Sequence, residues 1–243
     1  MEKIYIGTSG WVYDHWKGVF YPPGLPASRR LEFYAERFKT TEINYSFYQL
    51  PRASAFAAWR SQAPGDFVFA AKLSRYITHI RRLKDFKESL DLFLKNAQGL
   101  KEKLAVILVQ LPPSFKLSED NLARLEKFLK YSSGKKTRFA VEFRNNSWER
   151  EEVYLLLRKY NCAWVIGDSP KLKTTPILTA DFVYVRMHGS SVNKNSNYTN
   201  DELEELVGKI KKWQRQAKLI FVYFNNDAQG FAPQNASYLL ALI

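Results

Sequence analysis

Three carboxylates, three fixed cations and one imidazole end short apolar runs in this chain: Glu42, Glu142 and Asp168; Lys72, Arg144 and Arg186; and His188. The runs read Ile43-Asn44, Ala71-Lys72, Val109-Gln110, Val141-Glu142-Phe143-Arg144, Gly167-Asp168, Val185-Arg186-Met187-His188 and Phe224-Asn225-Asn226. Carboxylates beside an imidazole can exchange protons with a substrate, and fixed cations can hold an anionic group such as phosphate or carboxylate. Glu142, Asp168 and His188 are therefore the candidate catalytic groups. Lys72, Arg144 and Arg186 are the candidate anion binders, with Asn44, Gln110 and Asn225 as polar contacts. Trp11 and Tyr13, beside Gly10 in a loop, are the aromatic candidates for ligand contact. The plainer alternative is a self-neutralising network that closes one end of a fold, because buried charges must be paired.

A metal fits this set poorly. The chain has only His15, His79 and His188, none at the helical spacing of a His-Glu-x-x-His site. Glu142, Asp168 and His188 would make a divalent site on paper, but three cations in the same place oppose one. No metal and no cofactor are expected. A Gly-x-Gly-x-x-Gly turn after the first strand is missing, as is a phosphate loop of the Walker type.

Runs so short and apolar read as strands buried on both faces, the sequence form of a parallel sheet. Strands are expected at residues 4–7, 41–45, 67–72, 104–110, 138–143, 163–167, 182–187 and 219–224. Helical patterns fall between them, near 28–38, 54–62, 86–96, 119–131, 149–160, 201–217 and 235–243. Between strands six and seven there is little beyond Lys171-Leu172-Lys173 and prolines, so that helix is short or missing. Thr199 and Glu202 form a capping box ahead of the 201–217 helix. This alternation within 243 residues predicts an α/β fold, a single (β/α)8 TIM barrel spanning 1–243. In such a barrel the site lies at the C-terminal ends of the strands. Residues two apart share a strand face, which groups Glu42 with Asn44, Glu142 with Arg144, and Arg186 with His188. All the polar tips, Asp168 included, are expected to face the lumen and its mouth, because polar groups are costly on the helix-packed side.

Composition sets the outer bounds. The formal net charge of +13, from 37 Lys and Arg against 24 Asp and Glu, favours anionic partners: a small anionic molecule or nucleic acid. No apolar stretch is long enough to span a bilayer, so no membrane partner is expected. The single Cys162 and the absence of a signal-peptide core lead to the expectation of a cytoplasmic protein. Oligomeric state is not legible.

The tips also carry a resemblance. Gly7-Thr8-Ser9-Gly10-Trp11, Trp16-Lys17-Gly18, Phe20-Tyr21-Pro22, Glu42-Ile43-Asn44-Tyr45-Ser46-Phe47-Tyr48 and Lys72 with Thr78-His79 begin it. Val109-Gln110-Leu111-Pro112-Pro113, Val141-Glu142-Phe143-Arg144 with Ser147-Trp148, Tyr184 through Gly189, and Val222 through Asp227 continue it. In order along the whole chain, these resemble the YecE-like family of TIM-barrel proteins, domain of unknown function number 72. The resemblance implies a TIM barrel and assigns no reaction.

Three functions compete at this level. The first is a metal-independent enzyme binding an anionic, phosphate-bearing ligand at the barrel mouth. The second is a glycosidase-like hydrolase using paired carboxylates, with Trp11 or Trp148 stacking on sugar; carboxyl spacings of about 5–5.5 Å or roughly 6.5–9.5 Å would mark its retaining or inverting form. The third is a non-catalytic nucleic-acid-binding protein whose affinity falls steeply with salt.

Overall fold

The computed structural model describes residues 3–170, 173–190, 192–193 and 195–243. Eight parallel strands close into a barrel in chain order. They are β1 (Lys3–Ser9), β2 (Thr40–Ile43), β3 (Val68–Lys72), β4 (Leu104–Leu111), β5 (Arg138–Phe143), β6 (Ala163–Asp168), β7 (Phe182–Met187) and β8 (Leu219–Phe224). Among the described residues eight α-helices accompany them: α1 (Arg30–Ala35), α2 (Tyr45–Tyr48), α3 (Ala53–Gln62), α4 (Lys87–Ala97), α5 (Glu119–Ser132), α6 (Glu151–Lys159), α7 (Asn200–Gln214) and α8 (Phe231–Ala241). The (β/α)8 TIM barrel read from the sequence is the fold observed. Among the described residues, no helix is long and apolar enough to cross a membrane.

Local chemistry explains most boundaries. Thr199 accepts from the Glu202 backbone N–H and Glu202 returns a bond to the Thr199 N–H, so the capping box starts α7. Strand β2 ends at Ile43 rather than 45, because Asn44 takes helical dihedrals (φ −85°, ψ −23°) and opens α2. Gly10 turns the chain after β1 at φ +95°, and a Cβ there would come within 2.8 Å of the Tyr13 hydroxyl. No helix forms over residues 173–181; Lys171 and Leu172 lie outside the described residues. Instead the returning chain runs back along β6. The Thr174 and Thr179 hydroxyls accept from the Gly167 and Trp164 backbone N–H groups, both at 2.7 Å. Those bonds serve β6 where its recorded pairing with β5 covers only Ala163 and Trp164.

The lumen is layered. At its floor the rings of Tyr5 and Phe221 stack at 5.2 Å and Phe182 meets Phe221 edge-on at 6.3 Å. Ala70, Ala140 and Ala163 belong to the same cluster and leave room for these rings. Tyr184 and Tyr223, 5.2 Å apart, form the next layer. Their hydroxyls serve polar partners: Tyr223 bonds Thr40 Oγ1 at 2.7 Å, and Tyr184 donates to Glu42 Oε2 at 2.7 Å. The apolar floor thus passes into a charged mouth through two tyrosines.

Candidate active site at the barrel mouth

Arg186, 1% exposed, is the hub of the mouth. Its Nε and Nη2 donate to the two oxygens of Glu42 at 3.0 and 2.7 Å, and its Nη1 donates to Glu142 Oε2 at 2.7 Å. A bidentate clasp of this kind is the strong form of an Arg–carboxylate pair. Burial opposes the charge on Arg186, but Glu142 and Glu42 hold its pKa above the ordinary arginine value. Its three shortest hydrogen bonds all go to these two carboxylates. Expected from the sequence as a ligand-binding cation, Arg186 is placed by the structure in this clasp at the mouth.

Glu142 is equally constrained. Gln110 Nε2 donates to its Oε2 at 2.7 Å, and Arg144 Nη2 lies 2.8 Å from its Oε1. Burial by itself would raise this carboxyl; Arg186 and Arg144, with the His188 hydrogen bond, hold it well below the usual carboxylate range. It is a fixed anion and not a proton donor near neutral pH.

His188 completes the group. Asn225 Nδ2 lies 2.9 Å from its Nδ1, and its Nε2 lies 3.0 Å from Glu142 Oε1. Nε2 also lies 3.0 Å from Arg144 Nη2, so it faces a carboxylate acceptor and a guanidinium donor together, and which of them it bonds depends on the tautomer. Burial, then Arg186, pushes its pKa down against the pull of Glu142. The lowered pKa favours the neutral imidazole at pH 7.

Lys72 stands apart. It is 8% exposed, and among the described residues its ammonium has no hydrogen bond or ion pair. Its Nζ instead sits 4.2 Å from the centroid of the Phe47 ring. Burial, then the neighbouring Arg186, pushes its pKa down to about 8. The His79 ring meets Phe47 edge-on at 4.9 Å, and burial and Lys72 depress its pKa to about 4. Asn44 follows Ile43, which pairs with Ala71 in the β2–β3 register, and its Oδ1 is buried without a hydrogen-bond partner.

Asp168 is not part of this cluster, contrary to the lumen-facing expectation. In the β6–β7 register Gly167 lies opposite Arg186 and Asp168 opposite Met187, so inward-facing Arg186 leaves Asp168 on the outward face. There its carboxyl lies 3.7 Å from Lys173 and lines a small recess with Glu202, Glu205 and Lys209 beside α7. Burial raises its pKa. Only its backbone reaches the mouth residues: its carbonyl accepts from the His188 N–H at 2.7 Å. Asp168 is thus removed from proton transfer with Glu142 and His188.

The aromatic candidates divide. Trp148 is fully buried, donates to the Phe115 carbonyl at 2.6 Å and stacks on Phe143 at 4.7 Å, so it packs and offers no face to a sugar. Trp11 packs edge-on against Trp59 at 5.6 Å, and Tyr13 donates to the Ser9 carbonyl at 2.6 Å. Both nevertheless line a cleft of about 640 Å³, together with Asn44, Tyr45, Tyr48 and Trp59. Asn44 therefore belongs both to the strand tips and to this largely aromatic cleft. Among the described residues, no group of three or more His, Cys, Asp or Glu could hold a metal ion.

Residues 5–243 match the family model described as protein of unknown function DUF72. The chain belongs to this family. It is 29% identical to the UPF0759 protein YunF of Bacillus subtilis, over 99% of this chain and 94% of that one. It superposes on a DUF72 family protein of Thermotoga maritima with TM-score 0.88 and 34% identity, covering 98% of both chains. A DUF72 protein of Enterococcus faecalis, 23% identical over 99% of this chain and 95% of that one, shares the fold with TM-score 0.83.

Tyr184 and Phe47 are not among the site candidates read from the sequence, and His79, which follows strand three and could reach the mouth, has a surface role as its equal alternative there. Tyr184, two residues before Arg186 and so on its face, was accessible to the same alternation argument. Phe47, whose ring lies under the Lys72 ammonium, enters the sequence reading only within the Glu42–Tyr48 motif. His79 depends on a π-helical turn over Tyr76–Ile80 that no periodicity announces.

Proposed function

We propose that this protein is a metal-independent enzyme that binds a small anionic ligand, bearing phosphate or carboxylate, at the barrel mouth between Lys72 and Arg144. One observation carries this reading: Lys72 is a buried cation without a hydrogen-bonded or ion-paired partner among the described residues. Glu42 and Glu142 face Arg186, Arg144 and Lys72 at the mouth, so one cation exceeds the carboxylates. An arriving anion would supply the missing charge. Arg144, with its side chain one-quarter exposed, is the other cation within reach of a ligand. His188, neutral and held by Asn225 and Glu142, is the group suited to moving a proton.

The paired-carboxylate reading loses support from the same geometry. A glycosidase needs a carboxylic acid with a raised pKa, whereas Glu142 is depressed and Arg186 clasps Glu42. The test is titration calorimetry with inorganic phosphate and with small phosphate monoesters. Lys72→Met and Arg144→Ala should each weaken binding about tenfold or more, the scale of one lost charge-assisted bond. Unchanged affinity in both variants sinks the reading.

A further inference from the structure

Lys72 has the surroundings of a nucleophile as well as those of an anion anchor. A lysine reacts with carbonyl carbon only as the free amine, and enzymes free it by desolvation or by placing other cations nearby. Both conditions hold: Lys72 is more than nine-tenths buried on the lumen face, and the guanidiniums of Arg186 and Arg144 act on it electrostatically. No carboxylate locks its ammonium, since Glu42 and Glu142 are held by Arg186 and Arg144. Its Nζ rests over the Phe47 ring, a contact that leaves its lone pair uncommitted once the proton departs. At the tip of the neighbouring strand β2, Asn44 Oδ1 is buried without a hydrogen-bond partner among the described residues. The neutral ring of His79, packed on the same Phe47, adds no competing positive charge.

We infer that Lys72 forms an imine with the carbonyl carbon of an aldehyde or ketone that carries its anionic group towards Arg144. This rests on the anionic-ligand reading and adds covalent chemistry to it. The free amine adds to the carbonyl carbon, the new C–N bond forms, and the oxygen takes a proton to give a carbinolamine. Loss of water then leaves the iminium. The ammonium and the carbonyl compound give the iminium and one water, so atoms and charge balance without an oxidant or reductant. The iminium keeps the positive charge at Lys72, and Arg144 keeps the anion.

The experiment is reductive trapping on the full-length protein. Glycolaldehyde phosphate and glyoxylate are the probes, each with cyanoborohydride at pH 7.4, and modified lysines are mapped by peptide mass spectrometry. With a pKa near 8 against an ordinary lysine near 10.5, Lys72 holds roughly a hundredfold more free amine than a surface lysine at this pH. It should therefore be the dominant adduct by tenfold or more, and excess inorganic phosphate should slow its modification without changing that of surface lysines. The probe whose labelling of Lys72 exceeds its own labelling of surface lysines by the larger factor identifies phosphate or carboxylate as the preferred anion. The Lys72→Arg variant keeps the charge, so it should still bind phosphate in the calorimeter while losing the dominant adduct. Labelling spread over surface lysines, with Lys72 no more reactive than they are, overturns the imine. If phosphate binding persists in that case, the anion site survives alone; if the native protein binds no phosphate either, both readings fall.

Discussion

Arg186 clasps Glu42 with two hydrogen bonds, Nε to Oε2 at 3.0 Å and Nη2 to Oε1 at 2.7 Å, and both side chains are almost wholly removed from solvent. A third bond from Nη1 to Glu142 Oε2 ties β2, β5 and β7 together across the top of the lumen. Closing the barrel and shaping its mouth are thus done by one network. What the network does not neutralise is Lys72.

Breaking the clasp should unfold the protein more easily. Arg186→Met leaves Glu42 and Glu142 buried without their shared partner, an arrangement that costs about 3–5 kcal/mol. Urea denaturation should show that loss, whereas Arg158→Ala, which breaks the exposed pair with Glu151, should change stability by less than about 1 kcal/mol. Equal effects from the two substitutions would contradict the assigned role of the hub.

Lys72 should behave in the opposite way. Its folded pKa, near 8, lies below the unfolded lysine value, so between those two values the unfolded chain binds more protons and stability rises with pH. Below pH 8 the full penalty of burying the ammonium is present, on the order of 3 kcal/mol. Lys72→Met removes it. Chemical denaturation at pH 7 should show a variant as stable as the native protein or more so, with an advantage that shrinks towards pH 10. A variant clearly less stable at pH 7 would mean that Lys72 has a structural partner.

Anion binding should follow the same titration. Ligand affinity is expected to fall as pH rises through about 8, because Lys72 loses its charge there. In Lys72→Arg the fall should disappear, since arginine stays protonated. Calorimetry with phosphate between pH 7 and 9.5, corrected for the ionisation of phosphate itself, separates the two proteins.

The histidines provide a check independent of any ligand. His188 and His79 are both pushed below the ordinary imidazole value by burial, His79 to about 4. In an NMR titration His188 should titrate below 6.5 and His79 near 4. Because the unfolded imidazoles take up protons first, these groups make stability fall as pH falls through 6.5. Asn225→Ala should weaken the hold on the His188 ring and shift its titration, leaving that of His79 unchanged. A His188 titrating above 6.5 would refute the neutral-imidazole assignment.

Trp148 tests packing against recognition. Trp148→Ala should destabilise the fold by about 3–5 kcal/mol, the usual cost of emptying a buried tryptophan site. The milder Trp148→Phe should leave phosphate binding intact, since the indole is enclosed by Phe115 and Phe143.

The sequence by itself determined the barrel, because eight short apolar runs alternating with helical patterns have few other ways to bury both strand faces. Strand alternation also brought Glu42, Lys72, Gln110, Glu142, Arg144, Arg186, His188 and Asn225 to one mouth, because inward and outward positions repeat with period two. That rule fails at a strand end whose parity is miscounted. Asp168 follows Gly167, and only the register against β7 reveals that the glycine holds the inward place. Tertiary structure alone decided which charges are spent and which are free. Arg186 and Lys72 look alike as cations at strand tips, yet one is clasped by two carboxylates and the other rests on Phe47. Pairing depends on distances of a few ångströms between residues far apart in the chain, 144 positions for Arg186 and Glu42 and 44 for Arg186 and Glu142, and no local pattern in the chain encodes them.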